Sequence, residues 1–345
     1  MAAREEQTEK KPNSSNTAPI FLDRGSVRSL LSYPSLLQHF QSSFPSISTT
    51  IQSPIRQNYS IDSSSSLLLM PSWSLSPSLP YIGVKLLTSY PQNSARNLPG
   101  IHASYLLFNS ITGQTVAVMD GTELTLWRTS CVSALASKFL SREDAEILVM
   151  IGAGSLAPYL IKAHLSVRPS LRKVIVWNRN AERAKNLVKK LQEEEEEMGG
   201  VCFESTEFLE GILGLGDILS CATSSEDPIV KGEALKAGAH LDLVGSFTPL
   251  MRECDDDAVK RGRVFVDCEA AMVEAGELVG AFQRGVISPG EIGGRLVDLI
   301  NGEKIGRRSS EEITVFKSVG SAVVDILSAQ LVYDTYMGTP ITAHL

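Results

Sequence analysis

Short apolar runs separated by serine, proline and glycine characterise the first third of the chain. Apolar side chains recur at helical spacing over residues 26–41. Two apolar runs follow at Leu67–Met70 and Tyr81–Leu87, and the segments Ser104–Phe108 and Thr115–Met119 are joined by a short glycine-containing loop. Because the last two segments predict a β-hairpin, we expect this region to form an antiparallel sheet covered by a helix.

Beyond this region, strands alternate with helices. Helices are predicted at Thr122–Leu140, Ala181–Glu197 and Asp255–Arg261, and a final one at Ser321–Met337 is expected to return to the first domain. Apolar strands are predicted between the helices, at Glu146–Ile151, Leu171–Trp177, Val201–Glu204, Asp217–Cys221, His240–Val244, Val264–Asp267 and Ile313–Phe316. This alternation indicates a parallel sheet with right-handed crossovers, a Rossmann-like, doubly wound α/β fold.

The same pattern divides the chain into a tail and two domains. Residues 1–18 are polar and lack apolar periodicity, so a disordered tail is expected. Residues 19–123 are predicted to form an α+β antiparallel domain, completed by the C-terminal helix within residues 317–345. Residues 124–316 are predicted to form the α/β domain.

Composition and charge exclude several classes of protein. The chain has 32 Lys and Arg against 39 Asp and Glu, a formal charge of −7, which argues against a nucleic-acid binder. No apolar run approaches the length of a membrane-spanning helix. The five cysteines form no CxxC pair and the five histidines no HxxxH pair, so no metal site is expected.

A glycine-rich turn is the strongest local motif. The apolar run Ile147–Ile151 leads into Gly152-Ala153-Gly154-Ser155-Leu156-Ala157, which fits G-x-G-x-x-A between a strand and a helix. The first glycine permits the tight turn, the second lets a pyrophosphate approach the backbone, and Ala157 allows close helix packing. A tight turn without a ligand is the alternative, but the second strand at the right distance favours dinucleotide binding.

The end of that second strand indicates which dinucleotide. NAD-specific sites usually carry Asp or Glu there to bind the ribose hydroxyls. This chain has Asn178-Arg179-Asn180, and the Arg179 guanidinium suits a phosphate dianion. The sequence therefore predicts NADPH, with NADH bound more weakly.

These motifs, together with several in the first domain, resemble the ornithine cyclodeaminase/mu-crystallin family over nearly the whole chain after the tail. The matching pieces are Pro54-Ile55-Arg56, Gly83-Val84-Lys85, Pro99-Gly100-Ile101-His102, Met119-Asp120-Gly121, Arg128-Thr129, Gly152-Ala153-Gly154, Trp177-Asn178-Arg179, Val244-Gly245-Ser246 and Thr314-Val315-Phe316-Lys317-Ser318-Val319-Gly320. Their order and spacing are more specific than any one of them.

The resemblance assigns roles to matching positions. It implies that Arg56, Lys85 and Arg128 line a substrate cleft and bind a carboxylate, with His102 as a candidate for the cleft wall. It also implies nucleotide contacts from Arg128, Thr129, Gly152, Ala153, Gly154, Ser155, Leu156, Asn178, Arg179, Asn180, Thr223, Val244 and Ser318. Family members pair through the antiparallel domain, so that domain is expected to bind substrate and to form a homodimer.

One departure from the family pattern separates its activities. Cyclodeaminases of the family carry an aspartate after a Val-Gly-Gly turn, and this chain has Phe247 after Val244-Gly245-Ser246. Because Phe247 cannot take a proton, the resemblance favours NADPH-dependent reduction of a small anionic cyclic ketimine. Within the family the chain looks most like plant reductases that convert 1-piperideine-2-carboxylate to pipecolate, and 1-pyrroline-2-carboxylate is a further candidate substrate.

Other functions and locations stay open from sequence alone. The alternatives are an ornithine cyclodeaminase, an alanine-dehydrogenase-like enzyme that aminates a 2-oxo acid, and an NADPH-dependent ligand-binding protein of mu-crystallin type. For localisation, the plant resemblance suggests a plastid. The acidic residues Glu5, Glu6 and Glu9 are unusual in a transit peptide and favour the cytoplasm.

Overall fold

The computed structural model describes residues 18–47, 50–96, 98–194 and 200–338. The predicted tail therefore lies outside the described residues except for Ala18. The same holds for the last residues of the predicted helix Ala181–Glu197 and for residues 339–345.

The first of two sheets has six strands in the order β1-β6-β5-β4-β3-β2. Their bounds are β1 Ile20–Leu22, β2 Gln57–Ser60, β3 Ser66–Trp73, β4 Tyr81–Ser89, β5 Ile101–Asn109 and β6 Thr115–Asp120. The predicted hairpin is confirmed as β5 and β6, and strands β2 to β6 are antiparallel. The short strand β1 was not predicted, and it pairs in parallel with β6.

The predicted helix over residues 26–41 is two helices, α1 at Arg24–Leu30 and α2 at Tyr33–Ile47. The single-helix prediction is wrong because local capping outweighs the apolar spacing. The Ser32 hydroxyl accepts a hydrogen bond from the Ser35 amide at 3.2 Å and so begins a new helix. The apolar side chains of both helices still face the same core.

The second sheet has eight parallel strands in the order β13-β12-β14-β11-β10-β7-β8-β9. Their bounds are β7 Ile147–Ile151, β8 Lys173–Trp177, β9 Cys202–Thr206, β10 Ile218–Cys221, β11 His240–Leu243, β12 Arg263–Val266, β13 Gly294–Arg295 and β14 Thr314–Lys317. The doubly wound prediction is confirmed, and only β13, two residues long, has no counterpart in the predicted strands.

Helices connect the two sheets and cover them. Their bounds are α3 Gly121–Leu140, α4 Ala157–Val167, α5 Ala181–Glu193, α6 Glu210–Leu213, α7 Asp256–Arg261, α8 Ala271–Glu274, α9 Gly276–Gln283, α10 Leu296–Ile300 and α11 Ala322–Met337. As predicted, α11 returns to the first sheet, where it contacts β3, β4, α2 and α3. None of the described helices combines the length and apolar character needed to cross a bilayer.

The long helix α3 joins the two halves through buried polar contacts as well as apolar ones. The Asp242 carboxylate, fully buried on β11, accepts hydrogen bonds from Ser133 of α3 at 2.9 Å and from Ser220 of β10 at 2.7 Å. His164 of α4 lies 3.3 Å from the same carboxylate. These contacts fix α3 and α4 on one face of the parallel sheet.

Candidate active site

A cavity of about 500 Å³ lies between the two sheets. Its wall on the side of the first sheet includes Met70, Lys85 and Leu87, and α3 adds Arg128 and Thr129. The parallel sheet contributes the residues that follow the carboxyl ends of its strands, namely Gly154, Ser155, Leu156, Ala222, Thr223, Val244, Gly245, Phe247 and Ser318. Ligands of open α/β sheets bind at this edge. One cavity therefore joins the predicted substrate cations to part of the predicted nucleotide site, whereas Gly152, Ala153 and residues 178–180 lie outside its lining.

A buried carboxylate pairs two of the predicted cations. Lys85 Nζ lies 2.7 Å from Asp325 Oδ2, and Arg128 Nε lies 2.9 Å from Asp325 Oδ1. The side chains of Lys85 and Asp325 are fully buried. Because β4, α3 and α11 each supply one member, the position of both cations depends on the packing of three separate elements.

Burial sets the protonation of this group. Desolvation is the main cause that lowers the pKa of Lys85, to about 8, with a further contribution from Arg128. Asp325 opposes that shift and keeps the ammonium form favoured at neutral pH. Burial works to raise the pKa of Asp325 itself, but Lys85 and Arg128 outweigh it and hold that pKa below its ordinary value.

The third predicted cation, Arg56, reaches the cavity from the chain just before β2. Its Nη2 atom donates to the carbonyl oxygens of Val319 and Gly320, at 3.1 Å each. It also lies 2.7 Å from the carboxylate of Glu274, the last residue of α8. The structure thus brings Arg56, Lys85 and Arg128 to one cavity, as the resemblance implied.

The glycine turn has the geometry that the motif predicts. Gly152 has φ +112°, and a Cβ there would lie 2.5 Å from the Ala222 carbonyl oxygen. A Cβ on Gly154 would meet nothing within 4 Å, so the backbone faces open space on the side where a pyrophosphate would lie. Helix α4 begins next to this space. Its first amide, that of Ala157, donates to the Gly154 carbonyl oxygen at 3.1 Å and Pro158 has no amide hydrogen, so the helix favours a phosphate through its dipole rather than through free amides.

The predicted adenosine side of the site lies at the end of β8. Asn178 Oδ1 accepts a hydrogen bond from the Ala153 amide at 3.1 Å, which ties this strand end to the glycine turn. Asn180 caps helix α5 by accepting from the Glu182 amide at 3.1 Å. Arg179 between them is exposed, and no described residue makes a hydrogen bond or ion pair with its guanidinium. Its charge is therefore free to bind a phosphate.

A second buried network shapes the opposite wall of the nucleotide edge. The Glu253 carboxylate accepts hydrogen bonds from the amides of Thr223 and Gly245, at 2.7 Å each, and so joins the loops after β10 and β11. Lys317 Nζ donates to Ser246 Oγ at 2.7 Å and lies 3.7 Å from Glu277. The pKa of Glu253 rises to about 7, mainly because the group is buried.

The loop after β14 is held in place by a single carboxylate. Asp267 Oδ2 accepts from Ser318 Oγ at 2.8 Å and from the amides of Val319 and Gly320 at 3.0 and 2.7 Å. Gly320 has φ +83°, and a Cβ there would lie 2.6 Å from an Arg128 nitrogen. Only glycine therefore lets this loop pass next to Arg128.

His102 is the one predicted substrate-side residue that the structure does not place at the cavity. It is exposed on β5, opposite Thr88 of β4. The pleat directs it to the sheet face opposite that of Lys85 and its partner Tyr105. A role for His102 in the wall of this cavity is therefore not supported by its position.

Sequence reasoning missed three carboxylates: Asp325 and Glu274, which pair with the cations, and Asp267, which holds the loop after β14. A signal was available for Asp325, because it is the only charged residue in the apolar run from residue 322 to residue 332. A single charge in a buried helix requires a partner. No comparable signal marks Glu274 or Asp267. Among the described residues, no group of histidine, cysteine, aspartate or glutamate side chains is arranged to hold a metal ion.

Two relatives in the curated collections of proteins are similar along most of the chain. Protein SAR DEFICIENT 4 of Arabidopsis thaliana is 59% identical over 319 residues, which is 92% of this chain and 98% of that protein. A Delta(1)-pyrroline-2-carboxylate reductase of Colwellia psychrerythraea is 36% identical over 315 residues, 89% of this chain and 96% of that protein.

Solved structures show the same architecture, and a family model covers the chain. The Delta(1)-pyrroline-2-carboxylate reductase of Thermococcus litoralis in complex with NADH and L-proline has a TM-score of 0.87 and 31% identity, covering 92% of this chain and 97% of that one. An archaeal alanine dehydrogenase dimer with bound NAD has a TM-score of 0.84 and 28% identity, covering 93% and 96%. Residues 18–339 match the family model, and the chain belongs to the ornithine cyclodeaminase/mu-crystallin family.

Proposed function

We propose that this protein is an NADPH-dependent reductase of cyclic ketimine carboxylates. The main substrate in this proposal is 1-piperideine-2-carboxylate, which is reduced to pipecolate, and 1-pyrroline-2-carboxylate is a second. The observation that carries the proposal is the cationic group Arg56, Lys85 and Arg128, which lines the same cavity as the nucleotide edge. The Thermococcus relative, whose structure holds NADH and L-proline, supports the substrate class.

The charges of the cavity favour a small monoanion. Arg56, Lys85 and Arg128 carry three positive charges, and Asp325 and Glu274 supply two negative ones. With Glu274 at Arg56 the group therefore retains one positive charge, which would attract a single carboxylate. Arginine suits this partner because its planar guanidinium can donate two parallel hydrogen bonds to one carboxylate.

The residues of the chain would orient the substrate and exclude water. The carboxylate would bind at the cationic group, while apolar side chains such as Met70, Leu87 and Phe247 would contact the ring. When bound, the reduced nicotinamide would supply a hydride to the C=N carbon of a ring protonated at nitrogen, which gives the secondary amine. Alignment of the ring against the nucleotide edge is then the main contribution of the protein.

The cavity lacks a group for the competing deamination. Its described lining includes no aspartate or glutamate, and Phe247 occupies the wall at the position where the family's cyclodeaminases carry their aspartate. Removal of ammonia needs a base that activates water. The lining therefore favours reduction over cyclodeamination.

NADPH is favoured by the unpaired guanidinium of Arg179 and by the absence of a carboxylate in the Asn178-Arg179-Asn180 segment. A carboxylate at this strand end would repel a 2′-phosphate, whereas Arg179 would bind it. The two related structures above hold NADH and NAD.

A homodimer is part of this proposal. The outer face of the first sheet carries a continuous group of half-exposed apolar side chains, Leu67, Leu69, Trp73, Ile82, Val84, Leu86, Leu106, Phe108 and Val118. Such a large apolar face is typical of a protein–protein interface. The archaeal alanine dehydrogenase to which the chain is similar is a dimer.

The substrate class can be tested with a small panel of compounds. We expect NADPH oxidation with 1-piperideine-2-carboxylate in the absence of ammonia, and none with a 2-oxo acid plus ammonia. Absorbance of NADPH, with identification of the amino acid formed, measures both. A rate that requires ammonia would favour the alanine-dehydrogenase reaction, and NADPH binding without turnover would favour a ligand-binding protein.

Replacement of Arg179 tests the coenzyme prediction. In Arg179→Ala, KM for NADPH should rise roughly 10- to 150-fold, because a charge-assisted phosphate contact of about 1.5–3 kcal/mol is lost. KM for NADH should stay unchanged. Arg172→Ala is the matched control, since Arg172 is also exposed but precedes β8 and lies at the other end of that strand. An equal effect on both coenzymes would contradict the assignment.

Replacement of Asp325 tests the role of Lys85 through its pKa. Removal of this anion in Asp325→Asn should lower the pKa of Lys85 below its value of about 8. Because the ammonium form would bind the substrate carboxylate, the alkaline fall of kcat/KM should move to lower pH. Asp334→Asn on the same helix is the control. An unshifted alkaline limb in a folded Asp325→Asn variant would show that Lys85 does not bind in its charged form.

Replacement of Leu86 tests the dimer. A buried, unpaired charge in an interface is strongly unfavourable, so Leu86→Glu should convert a dimer to a monomer. Sedimentation velocity measures the change. Ile111→Glu, at an exposed position in the β5–β6 loop, should leave the dimer intact. A wild-type protein that sediments as a monomer would overturn this part of the proposal.

A further inference from the structure

Among the described residues, the pair formed by Arg56 and Glu274 is the ion pair of the cationic group that spans the cleft. Arg56 belongs to the chain before β2 of the first sheet, and Glu274 ends α8, which follows β12 of the second sheet. Their atoms lie 2.7 Å apart, with side-chain exposures of 15% and 20%. The ion pair is therefore partly shielded from solvent and can compete with a ligand for Arg56. It does not belong to the hydrophobic core.

Glu274 approaches Arg56 from a second cavity. This cavity has a volume of about 770 Å³ and is lined by Arg56 and Glu274 together with apolar side chains of α2 and α8. Arg56, Met70 and Gly320 line both cavities, whereas Glu274 lines only the second. Arg56 thus stands in the common wall, and the Glu274 side chain has open space beside it into which it can turn.

The two counter-ions of the cationic group are held very differently. Asp325 is fully buried, binds two cations and sits on a helix whose neighbours Ile326 and Leu327 are also fully buried. Glu274 ends a helix of four residues, and Arg56 is the only cation of the described residues within ion-pair distance of it. Asp325 is consequently a fixed counter-ion, and Glu274 is one that can leave.

The protonation of Glu274 agrees with a weakly held carboxylate. Burial raises its pKa above the ordinary value, and Asp267 adds to that rise, although Arg56 opposes both. The attraction to Arg56 therefore does not fully offset the free-energy cost of desolvating this carboxylate. A second carboxylate that reached Arg56 from the substrate cavity would therefore compete with a weakly bound Glu274.

We propose that Glu274 occupies Arg56 in the free enzyme and is displaced by the carboxylate of the substrate. The inference rests on the proposed function, since it takes a carboxylate substrate at Arg56. It assigns Glu274 a part in specificity, because a ligand must bring its own anion to replace the one that leaves. Neutral rings of the same size would have to bind against an intact ion pair.

The test is the affinity of the protein for pyrrole-2-carboxylate, a planar cyclic carboxylate that has no imine to reduce. With NADPH present, calorimetric titration should give a dissociation constant about fivefold lower for Glu274→Gln than for the wild type, since the competing ion pair is lost. Glu274→Ala should show the same direction. Steady-state kinetics should show a lower KM for the imine substrate, with KM for NADPH unchanged.

Glu269→Gln is the matched control. It makes the same change in the same cavity wall, but Glu269 is paired with Arg295 at 3.2 Å and its side chain is 74% exposed. Its affinity for pyrrole-2-carboxylate should equal that of the wild type. A Glu274→Gln variant that binds the probe equally or more weakly would overturn the inference alone. A wild type that binds neither the probe nor the imine would overturn the proposed function and this inference with it.

Discussion

The buried carboxylate of Asp325 is the interaction on which the rest of the site depends. It holds Lys85 of β4 and Arg128 of α3 on one side of α11, where the Lys85 side chain is fully buried and that of Arg128 is 7% exposed. Without that anion, two like charges would be buried side by side, which is costly. The return of the C-terminal helix to the first domain is therefore a requirement of the site as well as of the core.

The nucleotide edge is built in a similar way, from carboxylates that hold loops rather than ligands. Glu253 joins the loops after β10 and β11, and Asp267 holds the loop after β14. In each case a carboxylate, fully buried for Glu253 and partly buried for Asp267, accepts hydrogen bonds from backbone amides that would otherwise face a cavity. These hydrogen bonds hold the loops at the nucleotide edge in place. In the proposed function, this preorganisation would let the protein align coenzyme and substrate.

The sequence was most informative where a local pattern decides the structure. The alternation of strands and helices, the glycine turn at Gly152 and the hairpin formed by β5 and β6 were predicted within a few residues, because each depends on periodicity or turn chemistry. Capping at Ser32 was missed because a serine looks the same in a helix surface and at a helix start. Glu274 and Asp267 were missed for a different reason: nothing near them in the chain shows that they meet Arg56 and Gly320.

The two kinds of counter-ion also explain how a cationic pocket can be stable when empty and still accept an anion. A group of three cations without carboxylates would destabilise the fold, whereas a group fully paired with fixed carboxylates would have no charge left for a ligand. Asp325, fixed in the core, lets Lys85 and Arg128 be buried at all. Glu274 sits at the end of a single helical turn beside open space, so it can stabilise Arg56 without permanently occupying it. In this proposal, the fixed Asp325 carboxylate stabilises the buried cations, and the displaceable Glu274 carboxylate leaves Arg56 available to a ligand.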